Sequence, residues 1–262
     1  MHQHNPFQPS PRPSSGPAPT LLGVWAHPDD ETYLSAGLMG RWSDAGASVS
    51  NVTATLGELG FPDTDRRTLA QRRVTRAAEL QDALAVVGVS ELRVLGLPDG
   101  GCAEAPRADL VAAIAAVIEE VRPSLIVTFG PDGITGHADH VAVGAATTAA
   151  WQHVGHGDLL YATKTRRHLD EFATLHRELS VFEVEPEGTT ESDIALRCHL
   201  EGGEIERKRR ALAAHASQTT GIAAAMGEVV YRRWWAEEEF RAPRASDMQE
   251  FSRISPHHLQ DS

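Results

Sequence analysis

Two segments far apart in the chain concentrate the residues able to do hydrolytic chemistry. The first, Ala26-His27-Pro28-Asp29-Asp30-Glu31, sets an imidazole beside three carboxylates. The second, Gly130-Pro131-Asp132-Gly133-Ile134-Thr135-Gly136-His137-Ala138-Asp139-His140, is a glycine-rich stretch closing on two histidines and an aspartate. A divalent metal that activates water wants three protein ligands of nitrogen and oxygen type plus an open position, commonly a His/carboxylate mixture around zinc. His27, Asp30 and His140 could supply that set. Two ligands three residues apart at a tight turn can converge on one ion, with the third arriving from a neighbouring segment. Asp29 would then lie beside the ion without ligating it. The competing reading of the first segment is structural: Asp29 and Asp30 cap a helix, and His27 is a polar residue at a strand edge. Two such segments on one rim favour the metal, and beside Asp139 and His140 the otherwise unremarked His137 reads as a site histidine.

The elements that must position these residues are legible in the hydrophobic pattern. LLGVWA (21–26), VSNVTATL (49–56), LRVLGL (92–97) and SLIVTFG (124–130) are short β-prone runs ending near Gly, Pro or Asp, with DLLYAT (158–163) as a fifth. Between them, Thr32 to Ala45, Asp65 to Val87, Ala108 to Val121 and His140 to His153 have helical period. Strand and helix alternating in this way predict an α/β fold, a mostly parallel Rossmann-like sheet with helices on both faces. Sites in such sheets collect at the carboxyl ends of the strands, where both segments fall. The pattern weakens beyond residue 160. Ser180 to Glu185 and Asp193 to Cys198 read as further strands and Glu201 to His215 as a helix, predicting a smaller C-terminal α+β part. The expected organisation is a Pro-rich disordered tail over 1–20, a catalytic core over 21–160, a C-terminal part over 161–245 completing the substrate pocket, and a weakly ordered tail over 246–262.

Composition bounds the remaining possibilities. The 262 residues are 41% hydrophobic with a net charge of −12, enough apolar material for a sizeable core and a field that repels nucleic acid and anionic membranes. No stretch approaches the roughly 20 apolar residues of a membrane span, and the N-terminus lacks the pattern of an export signal. Cys102 and Cys198 are too few for a disulfide framework or a four-thiolate zinc site and read as small buried residues. A cytoplasmic, reducing setting is the expectation. Whether the chain forms a homo-oligomer is left open.

With these residues in view, the sequence resembles the LmbE-like, or PIG-L, zinc-dependent deacetylases acting on N-acetylglucosamine conjugates. AHPDDE at 26–31 and GHADH at 136–140 carry the resemblance over roughly residues 21 to 150. Thr55-Leu-Gly-Glu58, Arg76-Ala-Ala-Glu79, Leu97-Pro-Asp99-Gly100 and His215-Ala-Ser-Gln218 agree with it more weakly. The resemblance implies the LmbE-like fold, zinc held by His27, Asp30 and His140, Asp29 as general base, and His137 facing the developing oxyanion. Ferrous iron is an alternative occupant of that ligand set. It also implies that Arg76 and Asp99 contact the substrate, against a structural reading of Arg76 as a surface partner of Glu79. Asp139 is grouped with the catalytic residues as a carboxylate able to orient His137 or a ligand imidazole. His215 is a weaker candidate, and Glu31 and Glu58 fit helix-end or supporting duties equally well.

The function expected is metal-dependent removal of an N-acetyl group from an N-acetylglucosamine-type conjugate or related N-acyl small molecule. Within the same chemistry stands an amidase acting on a thiol-glycoside conjugate or a secondary metabolite. From another class stands an inactive sugar-binding module, against which Asp29 argues, since binding alone does not need a carboxylate beside the ligands. A nucleotide site fails on the lack of GxGxxG after the first strand and of GxxxxGK[ST] anywhere, and a two-metal phosphoesterase is disfavoured by a ligand count sufficient for one ion. The basic clusters 164–167 and 207–210 read as solvated helix faces. Trp234 and Trp235 read as packing, with a sugar platform as the alternative.

Overall fold

The protein is described from a computed structural model over residues 19–253. Nearly all of the expected N-terminal tail lies outside these residues, although Thr20 already opens the first strand. Five strands run parallel: β1 (Thr20–Trp25), β2 (Ser48–Thr53), β3 (Glu91–Val94), β4 (Leu125–Phe129) and β5 (Asp158–Thr163), in the spatial order β3-β2-β1-β4-β5. β1 and β4 are adjacent and central, and covering on both faces is why their sequences are continuous apolar runs. α1 (Asp30–Asp44) and α2 (Leu69–Val87) carry the chain outward from β1 to β3. α3 (Arg107–Val121) returns it to β4, and α4 (Ala138–Val154) leads on to β5.

Right-handed crossovers travelling in opposite directions put their helices on opposite faces of the sheet. Accordingly α1 packs with α2, and α3 with α4. The reversal falls between β1 and β4, so the loops leaving these two strands diverge and open a crevice at their carboxyl ends. Both motifs sit in those loops. β2 and β3 end earlier than their apolar runs, although Leu95 and Leu97 still donate to Thr53 O and Ala54 O at 3.0 Å.

The C-terminal part extends the same sheet. After α5 (Arg166–Glu178) come β6 (Ile194–His199), α6 (Gly203–Ala214), α7 (Ala216–Met226), α8 (Glu228–Trp235), β7 (Glu237–Arg241) and α9 (Ala245–Arg253). β7 lies antiparallel between β5 and β6, completing the order β3-β2-β1-β4-β5-β7-β6. It is lined with glutamates yet buried, because distant cations meet them. Glu238 pairs with Lys208 at 2.7 Å and accepts from the Gly37 and Leu38 amides of α1, and Glu239 pairs with Arg197 at 2.8 Å.

Several expectations are corrected here. Ser180 to Glu185 is a loop rather than a strand: Ser180 takes φ 50°, and the Glu183 and Val184 amides donate to Thr135 O at 2.8 and 3.2 Å, folding the segment over the second motif. The basic clusters are not simply solvated, since Lys164 and Lys208 are buried. α9 (Ala245–Arg253) carries helix past residue 245, and 254–262 fall outside the described residues. Both cysteines are free and buried, as expected.

Candidate metal centre and its cavity

The strand-to-helix turn after β1 assigns its carboxylates different tasks. Asp29 takes φ 106°, a left-handed conformation costly for a residue with a Cβ, and its carbonyl accepts from the Thr32 and Tyr33 amides to start α1. Asp30 Oδ2 accepts from the His27 amide at 2.8 Å, closing the turn. Glu31 Oε2 accepts from the Asp29 amide at 3.0 Å, and Glu31 Oε1 meets His215 Nε2 at 2.9 Å. The Glu31–His215 pair is fully buried and pins the strained turn to the α6–α7 junction. The sequence showed only that Glu31 and His215 belong to short motifs, not that they meet.

His140, in the first turn of α4, converges on this turn. Its Nε2 lies 3.1 Å from His27 Nδ1 and 3.3 Å from Asp30 Oδ1, while His27 Nδ1 lies 3.6 Å from Asp30 Oδ2. Hydrogen bonding fixes the tautomers. His140 Nδ1 faces the Gly133 carbonyl at 3.0 Å and therefore carries a proton, leaving Nε2 a lone pair. His27 Nε2 faces Asp99 Oδ1 at 3.1 Å and Asp139 Oδ2 at 3.2 Å, so it carries the proton and Nδ1 the lone pair. With His27 neutral, two imidazole lone pairs and a carboxylate thus point at one another, which calls for a positive charge between them: a proton on His27 Nδ1, donated to His140 Nε2, when no ion is bound, or a metal cation. Ligand atoms about 2.0–2.2 Å from a tetrahedral zinc stand roughly 3.3–3.6 Å apart, close to the spacings found. The residues fit a divalent metal.

The electrostatics agree. Burial alone would push Asp30 up, but the His140 and His27 imidazoles hold it down to about 2. Burial depresses His27, yet the Asp139, Asp30 and Asp99 carboxylates raise it well above the ordinary histidine range, marking a place that demands positive charge. His27, Asp99 and Asp139 also cluster closely enough to hold an ion. There, however, the proton on His27 Nε2 already serves the two carboxylates; His27, His137 and His140 form the second such cluster, and Asp30 Oδ1 stands 3.3 Å from its His140 Nε2.

The remaining expected residues fall around this centre. Burial raises Asp29 to about 6, opposed by the Arg76 guanidinium, whose Nη1 and Nη2 lie 3.5 Å from Asp29 Oδ2. Arg76 is buried and also donates to Pro28 O. It is no surface partner of Glu79, which accepts from the Ser217 amide and hydroxyl instead. His137 caps α4, accepting from the Asp139 amide at Nδ1, and its ring meets His27 edge-on at 4.8 Å. That leaves His137 Nε2 as the proton-bearing atom, 3.9 Å from Glu183 Oε1. Asp139 is wholly buried, accepts from the Gly100 and Cys102 amides at 2.9 Å, and of the two imidazoles it was expected to orient its carboxylate meets His27 rather than His137. Asp99 holds the same imidazole while accepting from the Leu59 amide at 2.7 Å, a duty its sequence context did not signal. Glu58 pairs with Arg73 at 2.6 Å.

A cavity of about 550 Å³ opens over the centre. Its metal end is walled by His27, Asp29, Asp30, Arg76, Asp99, His137 and His140; its far end by C-terminal residues, among them Phe182, Trp234 and Trp235. The arrangement can hold a metal, a base and a proton-bearing imidazole against one small molecule, which is the equipment of amide hydrolysis. No helix among the described residues is long and apolar enough to cross a membrane.

Comparison with known proteins places these features in context. Residues 22–151 match the family model described as PIG-L: GlcNAc-PI de-N-acetylase. A 1D-myo-inositol 2-acetamido-2-deoxy-alpha-D-glucopyranoside deacetylase of Rhodococcus erythropolis is 34% identical, with 78% of this chain and 82% of that protein covered. Its namesake from Rhodococcus jostii is 31% identical over 84% and 90%. Among solved structures, the N,N'-diacetylchitobiose deacetylase of Pyrococcus horikoshii shares the fold at TM-score 0.58 and 18% identity, covering 86% of this chain and 84% of that one.

Proposed function

Because this chain belongs to the PIG-L family of de-N-acetylases, we propose that it is a metal-dependent deacetylase that removes the acetyl group from an N-acetylglucosamine-type conjugate. The observation that carries the reading is the convergence of the His27, His140 and Asp30 donor atoms within 3.1–3.6 Å of one another, with Asp29 alongside. The relatives named above act on an inositol glycoside of N-acetylglucosamine, which supports a small N-acyl sugar conjugate as substrate.

His27, Asp30 and His140 would hold the ion, zinc by the chemistry of the donor set, with ferrous iron as the alternative in a reducing cytoplasm. A cation there supplies a Lewis acid that polarises the amide carbonyl and acidifies water. Asp29, raised toward neutrality by burial, takes the proton from the attacking water. His137, its Nε2–H free of the helix cap, donates to the oxyanion as charge develops on the former carbonyl oxygen. Asp29, then protonated, or His137 returns a proton to the departing amine. Arg76 keeps Asp29 in place and, with Asp99, borders the space for the sugar hydroxyls. The C-terminal part completes the pocket.

The test is release of acetate and primary amine from N-acetylglucosaminides by purified protein, with and without chelation. Metal-dependent acetate release is expected. Release of a bulky acid with no acetate would point to an amidase, and full turnover after complete metal removal would end the reading.

A further inference from the structure

The inference concerns the far arm of the cavity and rests on the deacetylase reading. Away from the metal the carboxylates give way to Leu179, Phe182, Ile222 and Trp234, with Ser180 and Gln218 among the lining residues. The ring nitrogens of that wall are mostly out of a ligand's reach. Trp234 Nε1 donates to His176 Nε2 at 3.0 Å, and His176 Nδ1 and His168 Nε2 are enclosed, without exposed surface or partner. Burial and the charge of Lys164 push His176 down to about 4, burial first, so the ring stays neutral. Phe182 meets the His176 ring edge-on at 4.7 Å, building a slot of ring faces and edges. Lys164 Nζ donates to the Glu237 carbonyl at 2.8 Å, and no carboxylate among the described residues lies within ion-pairing distance of it.

We propose that this arm is an aglycone subsite for an aromatic ring, so that the conjugate this chain prefers carries an aryl group rather than a polyol on its glucosamine. A flat apolar ring fills such a slot with favourable edge and face contacts. Several hydroxyls pressed against Leu179, Phe182, Ile222 and Trp234 would lose water without regaining partners. Lys164 supplies the arm's one buried ammonium among its lining residues, suited to an oxygen acceptor borne by the ring.

The experiment compares methyl, phenyl and myo-inositol α-glycosides of N-acetylglucosamine as substrates of the zinc-loaded enzyme. The phenyl glycoside is expected to exceed the inositol glycoside in kcat/KM by about tenfold or more, mostly through KM. Phe182→Ala combined with Ile222→Ala, both partly exposed positions, should collapse the phenyl-over-methyl ratio. An inositol glycoside handled as well as the phenyl one, or a ratio unmoved by the double variant, overturns the proposal. If none of the three is deacetylated, the deacetylase reading fails, and the subsite is decided by binding alone. Phenyl α-glucosaminide, followed by tryptophan fluorescence, should then bind about tenfold more weakly to the double variant; equal affinity for its inositol counterpart would refute the subsite.

Discussion

Asp139→Asn separates holding the metal from doing the chemistry. Asp139 Oδ1 accepts from the Cys102 amide at 2.9 Å; its Oδ2 accepts from Gly100 at 2.9 Å and from His27 Nε2 at 3.2 Å. An asparagine keeps one of these oxygens and turns the other into a donor. With the amide nitrogen in place of Oδ2, it opposes two N–H groups; in place of Oδ1, it opposes only Cys102. The second arrangement costs less and preserves the imidazole's orientation but removes the negative charge that makes His27 a strong ligand. Supporting carboxylates of this kind are worth about 10–100-fold in metal affinity, roughly 1.4–2.7 kcal/mol. Because Asp99 Oδ1 also faces His27 Nε2, at 3.1 Å, the single variant should fall at the lower end, near tenfold. Removing both carboxylates with Asp99→Asn should exceed the single effect markedly, since the two share one proton. Competition against a chromogenic chelator measures the zinc affinity, and activity titrated with free zinc completes the test. Turnover of Asp139→Asn should return close to wild type at saturating zinc, because Asp139 is walled off from the cavity. Unchanged affinity in both variants, or a deficit that persists at saturating zinc, would refute the reasoning.

Three further expectations follow from the geometry. Asp29→Asn should retain metal and lose about 10²–10⁴ in kcat, and the wild-type kcat/KM should decline as pH falls through the Asp29 pKa, about 6 without metal and lower once the ion's charge is present; a variant as active as wild type removes the base from the scheme. Gly57 takes φ 60° and a Cβ there would stand 2.7 Å from Arg76 Nη2, so Gly57→Ala should cost about 1–3 kcal/mol of strain and lower activity by displacing Arg76, checked by thermal melts beside steady-state kinetics. Lys208→Met strands the buried Glu238 carboxylate and should cost about 3–5 kcal/mol in denaturant unfolding, with Glu238→Leu in the same chain restoring part of the loss; a stable single variant would contradict the role of this pair in docking β7 on α1.

The legible parts of this protein are those whose signal is local. β1 and β4 read directly as apolar runs, and because each flows straight into its motif, the placement of His27, Asp30 and His140 on one rim followed from alternation of strand and helix. What escaped depends on partners far along the chain. β7, with Glu237, Glu238 and Glu239 in a row, has no apolar signature, since its burial is made tolerable by Lys208 and Arg197 from other elements. Ser180 to Glu185 alternates like a strand, but no neighbouring strand pairs with it, and its amides close on Thr135 instead. Asp99 and Asp139 each looked like a site carboxylate; their convergence on one proton of His27 is a property of three loops meeting. The junction of Glu31 with His215 is of the same kind.

The central claim, that His27, Asp30 and His140 jointly bind one catalytic cation, is tested most directly by a crystal structure of the zinc-loaded protein with anomalous data at the zinc edge. The account predicts a single strong peak about 2.0–2.2 Å from His27 Nδ1, His140 Nε2 and an Asp30 oxygen, with a coordination position open toward the cavity. A peak instead between His27 Nε2, Asp99 and Asp139, or no peak in fully active crystals, would contradict it.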